Sequence, residues 1–133
     1  MENEILNQLD ELNRNRKFAV GNDLVFIPDF LISLTDLFRN KVYTPTEIAY
    51  CSRFNDAGLR YASTWAAKEA VYKALKQISP RSVGWKKIEI IREKISGQPQ
   101  VVLHNYPNQF NISLTISHDG EYAWAVAFIA LEG

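Results

Sequence analysis

The chain has 133 residues, with 15 Lys and Arg against 15 Asp and Glu and a formal net charge of zero. That length supports one domain with its own core. The charge balance gives no general attraction to nucleic acid or membrane, so any anion site has to be built from a few placed groups. Cys51 is the only cysteine, which excludes an internal disulfide and a multi-cysteine zinc site. No apolar run is long enough to span a bilayer. The start, MENEILNQLDELNRNRKF, is acidic and polar, unlike a secretory signal, so the expected location is the cytoplasm.

Residues 3–15 place Ile5, Leu6, Leu9 and Leu12 at helical spacing, which predicts a short amphipathic helix. Residues 18–27 are apolar on both faces of a strand, the pattern of a buried strand, and Pro28 ends it. A helix is expected over 29–39. Thr44-Pro45-Thr46-Glu47 opens another, with proline in its first turn. Asn55-Asp56-Ala57-Gly58 breaks it, and a longer helix over 59–78 stops at Ser79-Pro80. From Val83 onward the pattern changes to strands at 84–94, 99–104, 110–117 and 121–131, with turn signals at Ser96-Gly97 and Asp119-Gly120. Helices in the first half, strands in the second and one strand at the front define an α+β domain.

Three segments carry chemistry. On a wheel of about 100° per residue, Ala67, Val71, Ala74, Leu75 and Ile78 share one apolar face, and Trp65, Glu69, Lys73 and Lys76 lie roughly opposite. Trp65, Glu69 and Lys73 recur every fourth residue and therefore line up. Glu–Lys pairs at this spacing also decorate ordinary solvated faces; the tryptophan argues that something covers this one. Asp23 interrupts the apolar strand. If buried, its carboxylate needs a cation, a donor network or a metal; at an exposed strand end it needs none. Mg²⁺ takes one or two carboxylates along with phosphate oxygens and water, so a metal here calls for a second oxygen ligand from elsewhere. Thr115-Ile116-Ser117-His118-Asp119-Gly120 can hold a phosphate and serves equally as a plain hairpin turn. Gly97-Gln98-Pro99 by itself is a loop.

In this order, these segments resemble the 4'-phosphopantetheinyl transferase superfamily, and most closely its short single-domain branch, the holo-acyl-carrier-protein synthases. Trp65 to Lys73 matches W-x-x-K-E-A-x-x-K at every fixed position. Gly21-Asn22-Asp23 matches G-x-D, and Gly97-Gln98-Pro99 matches G-x-P. Tyr43-Thr44-Pro45-Thr46-Glu47 with Tyr50-Cys51 is similar to F-T-x-x-E-x-x-Y-C, and Thr115-Ile116-Ser117-His118-Asp119 to S-x-S-H-D with threonine first. The resemblance implies an antiparallel sheet packed against a long helix, in a transferase domain over 18–133 preceded by a helical extension over 1–17.

The implied reaction moves phosphopantetheine from coenzyme A to a serine of an apo acyl (or peptidyl) carrier protein and releases 3',5'-ADP, as in fatty acid biosynthesis and lipid metabolism. Asp23, Glu69 and Lys73 would be catalytic, with Mg²⁺ on Asp23 and Glu69. Coenzyme A would be held by Lys73, Lys68, Thr64, Gly97, Gln98, Pro99, Ser117 and His118, with Lys68 in a supporting part. A homotrimer with sites between subunits is the family default, and no nucleic acid or membrane is involved. The alternative is an inactive coenzyme A- or carrier-binding module of the same fold. Two positions depart from the family pattern. Asp29 stands where a basic residue that helps dock acidic carriers is common, with Arg39 and Lys41 as substitutes, and Thr64 stands where arginine is frequent.

Overall fold

The computed structural model describes residues 2–14, 16–92, 97–106 and 110–131. In chain order the elements are α1 (Glu2–Arg14), β1 (Phe18–Phe26), α2 (Ile27–Ser33), α3 (Asp36–Val42), α4 (Pro45–Cys51), α5 (Ala57–Lys76), a single 3₁₀ turn (Trp85–Lys87), β2 (Ile88–Arg92), β3 (Pro99–Leu103), β4 (Asn111–Asp119) and β5 (Tyr122–Ala130). The architecture is α+β, as the sequence predicts.

Several boundaries differ for physical reasons. The helix expected over 29–39 is two short helices, because Thr35 caps a new start by accepting the Phe38 N–H at 3.2 Å. Pro28 does not merely end the strand; it sits in the first turn of α2, where no donor is needed. The strand expected from 84 begins at Ile88, after the 3₁₀ turn. Residues 93–94 of that strand, and Ser96 of the Ser96-Gly97 turn, lie outside the described residues. Gly97 and Gly120 both have positive φ, as turn glycines should.

Strands β1, β5 and β4 form an antiparallel sheet in that order, and β2 pairs with β3 in a second small one. Helix α5 lies across the inner face of the larger sheet. Small side chains permit the close approach: Ala66, Ala67, Ala70 and Ala74 on the helix, and Ala123, Ala125 and Ala127 on β5, all fully buried or nearly so. At Gly21 the contact is tightest. A Cβ there would stand 2.0 Å from the Ala70 carbonyl oxygen, so only glycine fits.

The structure corrects the reading of β1 as buried on both faces. Its residues alternate, with Ala19, Gly21, Asp23 and Val25 inward and Phe18, Val20, Leu24 and Phe26 outward. With Tyr122, Trp124 and Phe128 of β5, the outward residues make an exposed apolar sheet face on the single chain. The apolar stripe of α1 is exposed too. Among the described residues, no helix is long and apolar enough to cross a membrane.

Candidate active site

Inward alternation along β1 points Asp23 at α5, and the fourth-residue spacing on α5 brings Glu69 and Lys73 to meet it. Lys73 Nζ is 2.9 Å from Asp23 Oδ1 and donates to the Asn22 carbonyl at 3.1 Å. Asp23 is buried, so of the two readings the sequence leaves open the structure selects the partnered one. Glu69 is half-buried, with the Asp23 carboxyl as its neighbour. Burial first, then the Asp23 hydrogen bond and charge, push its carboxyl up from 4.5 to about 7, while Lys73 pulls the other way. A cleft of about 460 Å³ opens over this group, lined also by Trp65, Phe30, Phe38 and Asp29. Trp65 is packed edge-on against Trp85 and Phe38, with centroids 4.7 and 5.3 Å away, which fixes the cleft wall.

The remaining expected residues divide. Gly97, Pro99 and His118 line a second cavity of about 240 Å³. Gln98 is exposed in the same loop. Ser117 and His118 are neighbours on β4 and so face opposite sides of the sheet; only His118 is on the α5 side. Thr64 is buried, with its hydroxyl donating to the Arg60 carbonyl at 2.9 Å, and offers nothing to a ligand.

Lys68 requires a plain correction: it lines neither cavity. It is 0% exposed, paired with Glu47 at 2.8 Å and bonded to the Trp85 and Ile88 carbonyls at 2.8 and 2.6 Å. Glu47 also accepts the Thr44 and Ile90 N–H groups, each at 2.8 Å. Burial pushes the Lys68 ammonium down and the Glu47 carboxyl up, and each partner opposes the other's shift. The motif lysine is an internal tie between α5, α4 and β2, not a coenzyme A contact. Arg39 is likewise engaged, 2.6 Å from Asp36 and stacked over Tyr61.

Sequence reasoning missed Arg60, Ser63 and Arg92, which line the second cavity, and named Tyr50, also in its lining, only as part of the α4 motif. The available signal was weak: Arg60 precedes Thr64 by one helical turn. Arg60 and Glu69 are nine residues apart, which is about half a revolution of the helix. The two cavities therefore flank α5 on opposite sides, and one chain does not bring them together.

Residues 19–127 match the 4'-phosphopantetheinyl transferase superfamily. The holo-[acyl-carrier-protein] synthase of Moorella thermoacetica is 42% identical over 96 residues, spanning 67% of this chain and 73% of that protein. That of Chlorobaculum parvum is 38% identical over 92 residues, spanning 69% and 78%. The structure of an ACPS–CoA complex from Chronobacterium ammoniagenes superimposes with a TM-score of 0.75 at 28% identity, covering 89% of this chain and all of that one. With its carboxylate pair and lysine in the motif positions, the chain belongs to the 4'-phosphopantetheinyl transferase superfamily. Within it, the chain is an enzyme of the holo-[acyl-carrier-protein] synthase type.

Proposed function

We propose that the chain transfers the 4'-phosphopantetheine group of coenzyme A to a serine of an apo acyl carrier protein, with Mg²⁺, releasing 3',5'-ADP. One observation carries this reading: Asp23 and Glu69 are held against each other beside Lys73 under an open cleft. The names of its relatives and of the coenzyme A-bound structural neighbour support it.

The residues present fit Mg²⁺. Two carboxylates pressed together, one lifted to about 7, are arranged as a divalent cation would favour. Among the described residues no three His, Cys, Asp or Glu side chains cluster, so Asp23 and Glu69 would hold the ion, and phosphates and water would complete its shell. When bound there, the cation would neutralise the pyrophosphate and polarise the phosphorus under attack.

The chain's own residues do the rest. Glu69, half-buried beside Asp23, accepts the proton of the carrier serine. The serine oxygen forms its bond to the β-phosphorus as the pyrophosphate P–O bond breaks, and 3',5'-ADP departs. Lys73, tethered by Asp23 and the Asn22 carbonyl, offsets the charge gathering on that leaving group. A homotrimer is part of the reading. The second cavity lies across α5 from the carboxylates, so both line one site only if two copies contribute, and the exposed sheet face supplies the apolar contact.

The test is incubation with coenzyme A, Mg²⁺ and several apo carrier proteins, read as the phosphopantetheine mass gain. No gain with any of them, including one encoded beside this chain, would sink the proposal. Glu69→Ala should abolish the gain while the fold persists.

A further inference from the structure

Helix α1 lies open on the single chain. Residues 2–12 are all exposed, the apolar ones included: Ile5 at 53%, Leu6 at 56%, Leu9 at 49% and Leu12 at 68%. A helix of 13 residues is marginal in water unless it buries an apolar face. Its root, by contrast, is fixed. Arg16 donates to the Gln77 side chain at 2.6 Å, and the Lys17 carbonyl accepts the Leu131 N–H at 2.8 Å. α1 also lies before the residues 19–127 shared with the superfamily, and the proposed reaction gives it no part.

The pattern of the stripe says what covers it. Ile5, Leu9 and Leu12 recur after four and three residues, the spacing of d, a and d in a heptad, and fall within about 60° of one another around the helix. Leu6 takes the neighbouring e position. A stripe widened from a and d to e suits a bundle, where each helix touches two others, better than a two-stranded seam. Charge separates a second copy from an unlike partner. Like charges beside the seam would repel between identical helices, yet the e and g positions hold Leu6 and Gln8. Glu4, Asp10 and Glu11 stand at c, b and c, more than about 100° from the centre of the stripe. Among the acidic residues only Glu2 falls on the seam, in the first turn at the open end. These acids also disfavour an anionic membrane surface, which calls for Lys and Arg on the polar face.

Symmetry supplies the direction. Phe18, shortly after Arg14, opens β1 on the exposed sheet face and stacks on Phe128 with ring centroids 5.4 Å apart. In the proposed trimer that face is buried between copies, so the three α1 helices leave from the same end of the interface and run parallel. Tethered in this way, each meets the others at an effective concentration of about millimolar, which so short a helix needs.

We propose that α1 is an assembly helix: three copies, one from each chain, pack as a parallel bundle along Ile5, Leu9 and Leu12, with Leu6 closing the flank. The inference rests on the trimer within the transferase reading and gives the segment before the transferase domain its partner, further copies of itself.

Sedimentation of the intact protein over a dilution series measures this. Leu9→Glu and Leu12→Glu should each dissociate at concentrations at least about tenfold above wild type, the least expected from losing one buried leucine per chain. Both should also lose helix signal in circular dichroism. Asn7→Glu, on the outer side of the helix, should do neither. A cysteine reads the contact directly, because Cys51 is buried and a disulfide needs Cα atoms within about 7 Å. Leu9→Cys should link two chains under mild oxidation, and Asn7→Cys should not. Unchanged dissociation in either glutamate variant, no linkage at Leu9, equal linkage at Asn7, or a wild-type protein that is monomeric throughout overturns the inference. A docking site for a different protein would give the first two of these results. A monomer that still modifies a carrier would leave the transfer reaction standing; a linked trimer that modifies none would sink that reaction and leave the bundle.

Discussion

Replacing Lys68 with methionine tests the correction the structure makes to the motif. The change keeps the length of the side chain and removes its charge. Glu47 keeps its two backbone donors but loses the cation 2.8 Å away, and the Trp85 and Ile88 carbonyls lose theirs. Stranding one member of a fully buried pair costs about 4 kcal/mol. That is a large share of a domain's usual stability of about 5–15 kcal/mol, and it should lower Tm by about 15 °C. The loss should depend on pH. Burial already holds the Glu47 carboxyl above its ordinary value, and Lys68 opposes that rise. Without Lys68 it rises further. A group whose folded pKa exceeds its unfolded value favours folding below the unfolded pKa, and that contribution is lost as pH rises through the folded one. Lys68→Met should therefore recover part of its stability between pH 8 and pH 5, and Glu47→Gln/Lys68→Met should recover more at pH 8. Urea and thermal melts followed by tryptophan fluorescence read all of this. Where the variant folds, its KM for coenzyme A should stay at the wild-type value. A stability within about 1 kcal/mol of wild type at pH 8, or a raised KM in a folded protein, would refute the internal tie.

Three further outcomes follow from named contacts. In the absence of metal, Glu69→Gln should melt higher than wild type at pH 8 by about 4 °C, the worth of about 1 kcal/mol after allowing for the solvent that reaches a half-buried carboxylate. The gain should vanish at pH 5, below the value of about 7 at which Glu69 ionises, and added Mg²⁺ should stabilise only the wild type. A gain of the same size at pH 5 would mean Glu69 is not the group responsible. Gly21→Ala should cost at least about 3 kcal/mol in urea denaturation, since its methyl collides with the Ala70 backbone and α5 has to withdraw. Trp124→Glu puts a charge in the middle of the exposed sheet face and should leave a folded monomer by sedimentation, with transfer lost. A trimer that survives it would place the proposed interface elsewhere.

Much of the site was legible because its residues sit at regular spacings in single elements. Glu69 and Lys73 line up by helical period, and Asp23 faces them because strands alternate. Lys68 was harder, because a wheel shows only where a residue lies around its helix. Residue 68 stands well away from the apolar centre, yet α4 and β2 cover that flank, and no spacing within α5 announces them. The capping box of α4 hides a second role in the same way. Glu47 caps Thr44 locally with one oxygen and reaches Ile90 with the other, while pairing with Lys68 across the core. Arg60 and Arg92 converge only because α5 and β2 are packed together, so no run of sequence contains both.

The apolar pattern on both faces of β1 bears on the assembly. A strand whose two faces both read as core, but which covers only one of them within its own chain, asks for a partner on the other. Phe18, Val20, Leu24 and Phe26, joined by Tyr122, Trp124 and Phe128, form a continuous patch of the kind that monomers seldom leave bare. Separately, the carboxylates and the second cavity lie on opposite flanks of α5, and the proposed reaction assigns both to one coenzyme A. In the proposed trimer further copies of the same chain would meet both needs, since symmetric assembly repeats each contact. A monomeric Trp124→Glu should then lose transfer even though Asp23, Glu69 and Lys73 remain intact. Full transfer by that monomer would show instead that one chain holds the whole substrate, and that the sheet face serves something other than catalysis.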